Sequence, residues 1–247
     1  MSTIVRRILI GLLILGIVLV LGDRVAANLA QDEIADSVAQ RAEESGAWSS
    51  DRVDVQIHGF PFLTQVVDGD MERIDIDLSS VSYSSLTFDS FDITAEGVEG
   101  DPAELMKGTG EITARDLRGT AVIGLDDLSA LVPGDHEVEF HREDGGLAAD
   151  ITTDVFGTEL TLSTDVAIAV SDGAIDFQAG ELDTKEGTMP DGAETLIAGL
   201  ASFLDVRVPI PELPYGLRLE DVSVGSDGLR LTAVGEDTVL RSAAEPA

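Results

Sequence analysis

The sequence predicts an α+β fold: a long, curved antiparallel β-sheet wrapped against one or two helices and preceded by an N-terminal hydrophobic helix. Three observations carry this. Apolar residues run unbroken from Ile8 to Gly22. A helical period follows, with Ala30, Ile34, Val38 and Ala42 on one stripe and Leu29 beside it. From Arg52 onward the period is two, broken by short Gly/Asp turns, as in hairpins of half-buried strands.

The N-terminal segment comes first. Arg6 and Arg7 precede the 15 apolar residues of Ile8 to Gly22, and Asp23 closes them. As a helix this run is about 22 Å long, short of a hydrocarbon core of about 30 Å and typical of a signal sequence. Ile4 and Val5 extend it if the arginines snorkel. Val25-Ala26-Ala27 offers a cleavage site. Residues 1–27 are thus a signal peptide or a signal anchor. Arginine before the run and none of that density after it puts the remainder, 28–247, outside the cytoplasm. That remainder is a single domain, because no linker divides it. The helix up to Gly46 follows without a Gly/Ser spacer, so it and the apolar segment can form one rod.

The strands come next. Val53, Val55 and Ile57 alternate, as do Ile74, Ile76 and Leu78, with Asp75 and Asp77 on the other face. Leu160, Leu162, Val166, Ile168 and Val170 form the clearest alternation, and a turn at Ser171–Gly173 leads to Ile175 and Phe177. The last hairpin turns at Gly225–Gly228. Two strands slip phase, from Phe88 to Phe91 and from Ala114 to Leu117, which predicts β-bulges that bend the sheet. Short helices are expected over 125–133 and 191–205, the second with Leu196, Leu200, Phe203 and Leu204 on one stripe and Ile197 at its edge. Pro209, Pro211 and Pro214 then stiffen the approach to the final hairpin.

One stretch stands apart. Only 4% of the chain is aromatic, yet His58–Gln65 reads HGFPFLTQ, with Phe60 and Phe62 flanking Pro61. Gly59 ends a strand, Pro61 suits the first turn of a helix, and Gly69 stops it, with Phe62, Leu63, Val66 and Val67 as its apolar residues. Either the two phenylalanines plug one end of the core, or they line an apolar groove or dip into a bilayer.

Composition excludes several classes of function. Lys+Arg is 15 against 47 acids, a net charge of −32, with no basic cluster to hold phosphates, so nucleic acid is not a partner. The absence of cysteine removes disulfides, thiol catalysis, thiolate metal sites and a lipid anchor on an N-terminal cysteine. His136 and His141 lie on opposite faces of a strand and cannot share a metal. Asp68–Asp70 does not continue as a calcium loop. There is no nucleophile elbow, P-loop or dinucleotide fingerprint. No catalytic residue, metal or cofactor is expected.

The run VDVQIHGFPFLTQVVDGDMERIDIDL, the hydrophobic segment ending in Asp-Arg before it, and the close PELPYGLRLEDVSVGSDGLRLTAVGEDTVL resemble the actinobacterial LmeA-like family over nearly the whole chain. The resemblance implies a tubular lipid-binding-like fold, phospholipid (phosphatidylinositol-type lipid included) as ligand, and a part in lipoglycan and envelope assembly. It makes Phe60, Phe62, Leu63, Val66, Phe88, Phe91, Leu196, Leu200 and Phe203 candidates for acyl-chain contact, and Arg52, Arg73, Arg207 and Arg218 candidates for the headgroup. The membrane is reached through the N-terminal segment, and any protein partner is unidentified. A second reading is a membrane-anchored envelope scaffold that binds a protein and has no lipid cavity. A third, a lipid hydrolase, has only His58 placed for it. A filled interior favours the scaffold; an apolar tunnel favours the lipid carrier.

Overall fold

The computed structural model describes residues 3–45, 48–83, 86–105, 107, 110–132, 137–155, 158–171, 173–187, 190, 199–200, 204–209 and 213–241. The first element is one helix, α1 (Thr3–Ser45), 43 residues and about 65 Å long. The apolar segment and the alanine-rich stripe are therefore a single rod. Leu13 to Leu21 stand exposed on it, whereas Ala27 and Ala42 are buried. Ala30, Ile34 and Val38 are half-buried, and Leu29 faces outward rather than joining the stripe.

The chain then forms β1 (Trp48–Ser49), β2 (Arg52–His58), α2 (Phe62–Asp68), β3 (Asp70–Tyr83), β4 (Leu86–Gly100), α3 (Pro102–Leu105) and β5 (Ile112–Ile123). A 3-10 helix over Leu125–Leu131 stands where a short helix was expected. There follow β6 (Glu137–Glu143), β7 (Gly146–Val155), β8 (Thr158–Ser171), β9 (Ala174–Ala179), β10 (Asp183–Glu186), β11 (Val206–Pro209), β12 (Arg218–Val224) and β13 (Leu229–Arg241). Most of the helix expected over 191–205, including Leu196, Ile197 and Phe203, lies outside the described residues, as does His136.

The fold is α+β, with long antiparallel strands and an N-terminal apolar helix, as the periodicities require. Among the described residues the strands divide over two sheets. The first has seven strands in the order β1-β3-β4-β5-β13-β12, with β2 also paired to β3. The second has six, in the order β11-β9-β8-β7-β6, with β10 paired to β8. Division into sheets depends on which strands find each other across long connections, and alternation within a strand carries no trace of that.

The sheets pack on one another over Ile123 and Leu229 of the first and Phe140, Leu147, Ile151, Val166, Ile175 and Phe177 of the second. Leu128 and Leu204 close this core. A separate cluster joins Ala27 of α1, Ile57 of β2 and Phe62 of α2, with Ala30, Ile34, Met71 and Ile74 against it. Thus the second sheet covers one part of the first, and α1 with α2 covers another.

The phase slips are present but are not bulges. Between Arg73↔Glu96 and Met71↔Val98 the register of β3 and β4 is unbroken, and only Glu72 and Gly97 go unpaired. The same skip recurs in line at Gly97 and Arg115, then at Arg115 and Asp237. Gly97 (φ 57°) and Asp237 (φ 48°) are in the left-handed region, and a Cβ on Gly97 would lie 2.8 Å from the Arg115 guanidinium carbon. A second skip, between Ser79↔Ser90 and Val81↔Phe88, leaves Ser80 (φ 52°) and Asp89 out of the register. A bulge adds a residue to one strand. Here adjacent strands each turn one residue at the same level, so the sheet creases as a unit and keeps its register.

Candidate functional site

The first sheet carries an apolar face three rows deep. One row runs Val55, Ile76, Ile93, Gly119, Ala233, Leu219 across β2, β3, β4, β5, β13 and β12. The next runs Val53, Leu78, Phe91, Ala121, Leu231, Val222. A third runs Ile57, Ile74, Ala95, Leu117, Gly235. Six strands at sheet spacing make this face about 24 Å wide. Its margins are packed: Ile57 and Ile74 meet α1 and α2, and Leu231 and Val222 meet the second sheet. Between the margins Ile76, Phe91 and Ile93 are only half-buried. Gly119 is buried within this strip, and a Cβ there would come into ordinary contact with Leu217, at 3.9 Å. Phe88 is half-buried too, but packs into the core between the sheets.

That core is filled. The gap lined by Leu128, Val132, Phe140, Phe177, Leu204 and Val206 has a volume of about 10 Å³, room for one water at most. That gap is too small for an acyl chain, whereas Ile76, Phe91 and Ile93 leave apolar surface half-exposed on the first sheet. Leu200 is half-buried against Val155, Leu160 and Leu162, away from that strip.

A second apolar surface lies where α1 meets α2. Asp23, one residue past the apolar run, is buried, and its Oδ1 accepts a hydrogen bond from the Leu63 N–H at 2.8 Å. It caps the N-terminus of α2, which Pro61 leaves without a side-chain cap of its own. Arg24 donates to the Gly59 carbonyl at 3.3 Å, and its guanidinium carbon lies 5.0 Å from the centre of the Phe60 ring. Phe62 is 6% exposed and packs on Ala27 and Ile57. Phe60 is 57% exposed, Leu63 49% and Val67 75%, with Val66 exposed beside them. The two phenylalanines thus separate: Phe62 closes a core, and Phe60 faces out. Gly69 (φ 73°) ends α2, donating to the Gln65 carbonyl at 2.8 Å.

A family model of LmeA-like phospholipid-binding proteins matches residues 21–234. The chain belongs to this LmeA-like family. No curated protein and no solved structure matches it. The family match begins at Leu21 and so takes in Asp23, Arg24 and Ala27, which tie α2 to α1 in this LmeA-like protein.

The arginines of this LmeA-like protein do not converge. Arg73 makes two hydrogen bonds to Asp75, at 2.8 and 2.7 Å, and Arg207 binds Asp176 at 2.9 Å in the second sheet. Arg52 and Arg218 are exposed, at opposite margins of the first sheet. By strand alternation Arg52, Arg73 and Arg218 stand on its polar face, opposite the apolar rows. A lipid lying on those rows would not meet them.

The polar face holds ion pairs. His58 Nε2 lies 2.8 Å from Asp75 Oδ2, which Arg73 also engages, so the pair is a cross-strand lock. Burial opposes ionisation of Asp75, but hydrogen bonds from Arg73, Thr94 and His58 and the Arg73 charge outweigh it and hold the carboxyl below the usual range. Two residues on, burial and the carboxylates of Asp92, Asp75 and Asp54 push Asp77 upward. Asp54, Asp77 and Asp92 face one another directly across three strands. On the second sheet Lys185 and His141 flank Asp150 at an open hollow of about 340 Å³. Among the described residues no group of three or more His, Asp or Glu side chains is arranged to hold a metal.

Sequence reading missed Asp23, Arg24, Gly119 and Leu217. Asp23 reads as a marker of where the apolar run stops, and only the return of residue 63 to its side makes it a cap. Gly119 reads as a break in an alternation, and only the pairing of five neighbouring strands puts it within the strip.

Proposed function

We propose that the protein is a phospholipid-binding or lipid-transfer protein of the cell envelope, held outside the cytoplasm by α1, that takes acyl chains on the open apolar strip of its first sheet. The observation that carries this is the strip itself: Ile76, Phe91 and Ile93 half-buried beside Gly119, in a member of a phospholipid-binding family. Each methylene moved from water onto such a surface is worth about 0.8 kcal/mol, so one chain supplies the binding energy without covalent chemistry. Burial of Asp23 and Ala27 in the folded body supports an anchor that stays attached, because cleavage after Ala27 would remove both.

The experiment uses the full chain in vesicles containing a phospholipid with a photoreactive group at the end of one acyl chain. Crosslinks are mapped by mass spectrometry. Crosslinks on β3, β4 and β5, reduced severalfold by Gly119→Ile, are the expected result. Crosslinks confined to α1 and α2 would remove the strip from the account. The packed core between the sheets is what an anchored scaffold needs, and that second outcome favours the scaffold.

A further inference from the structure

We propose that α2 and the Phe60 turn form a foot that seats in the interfacial zone of the bilayer beside the emerging α1; this rests on reading α1 as a membrane anchor. The first ground is depth. From Thr3 to Gly22 is 20 residues of helix, about 30 Å, the thickness of a hydrocarbon core. Asp23 and Arg24 then stand at the outer boundary. The second is the tie between elements. Asp23 caps α2 through Leu63, and Arg24 holds the Gly59 carbonyl and lies over the Phe60 ring. Phe60 and Leu63 are therefore held at the level of residues 23 and 24, immediately past the exposed Leu21.

The third ground is the chemistry of the surface. Phe60, Leu63 and Val67 are exposed apolar side chains, grouped at one spot, in a chain whose net charge is −32. An aromatic ring under a guanidinium suits the headgroup boundary, where the ring meets acyl carbons and the cation meets phosphate. A soluble partner would have to approach past the bilayer that α1 brings to this spot. With two attachments, α1 and the foot, the body cannot swivel about the helix axis, and the apolar strip keeps one orientation to the lipid surface.

The chain has no cysteine, so single-cysteine variants need no background changes. Phe60→Cys and Leu63→Cys replace exposed side chains and leave the cap intact. Each full-length variant is nitroxide-labelled in phosphatidylcholine vesicles, and its depth is measured from collision with oxygen and with a water-soluble nickel chelate. Leu15→Cys is the reference for the anchor, and Val239→Cys, exposed on β13, the reference for water. The expected result is a deep label at 15, a water-like label at 239, and labels at 60 and 63 at the interface, about 5–10 Å into the headgroup boundary. Water-like labels at 60 and 63 with a deep label at 15 overturn the foot and leave the anchor standing. A water-like label at 15 overturns both. Labels at 60 shielded from both reagents and broadened by a second nitroxide would show another copy of the chain there, which also overturns the foot.

Discussion

Replacing Phe62 with alanine removes a buried ring from the contact between Ala27, Ile57, Met71 and Ile74. The expected cost is about 3–5 kcal/mol, or roughly 10 °C in melting temperature for a domain of this size. Phe60→Ala changes an exposed ring, and its expected effect on stability is within about 0.5 kcal/mol. Thermal unfolding of the full chain in detergent, followed by circular dichroism, separates the two, and equal losses would contradict the burial found here. A second pair differs in sign. Asp77 has a raised carboxyl pKa, so the folded state binds its proton more tightly than the unfolded state. The stability this gives is full below about 3.8 and is lost as pH rises through the raised value. Asp77→Asn should therefore stabilise at pH 7, by up to about 1 kcal/mol for relief of directly opposed carboxylates, and the advantage should vanish in acid. Asp75 has a lowered pKa, so its contribution is present above about 3.8 and is lost as pH falls below it. Asp75→Asn should destabilise at pH 7. Melting curves of both variants from pH 3 to 7 check this.

At the scale of elements, the junction of α1 and α2 decides where the folded body begins. Asp23→Ala removes the cap from α2 and should cost about 1–2 kcal/mol. Amide exchange at Leu63, the capped N–H, should quicken in that variant while amides in β8 stay protected. Unchanged exchange at Leu63 would mean that the cap contributes nothing. A chain beginning at residue 28 also loses Arg24 and the buried Ala27, so it should be less stable than one beginning at residue 20. The helix α2 was legible from Pro61, the apolar spacing and Gly69, because start, period and stop are local. The creases were legible only as phase slips. Whether a slip is a bulge in one strand or a fold across adjacent strands depends on the neighbours' register, which belongs to no single strand.

At the scale of the molecule, the apolar face of the first sheet is divided among three uses. The second sheet covers one part, α1 and α2 cover another, and the strip around Ile76, Phe91 and Ile93 is left half-open. Of the residues singled out as acyl contacts, Phe91 lies on that strip, Phe88 and Phe62 are packed, and Phe60, Leu63 and Val66 stand at the junction. The three arginines of the first sheet fall on the wrong side of it for the strip, because strand parity sends every residue next to an apolar one to the opposite face. By itself the sequence determined the helix, the antiparallel strands, the acidic outer face and the family, since periodicity, charge and motif are properties of contiguous residues. Only the tertiary structure decided that Phe62 is core and Phe60 surface, that Asp23 caps a helix 40 residues away, and that Ile76, Phe91 and Ile93 stay half-exposed on the first sheet. Those outcomes depend on which distant surfaces meet, and burial is decided by the partner as much as by the residue.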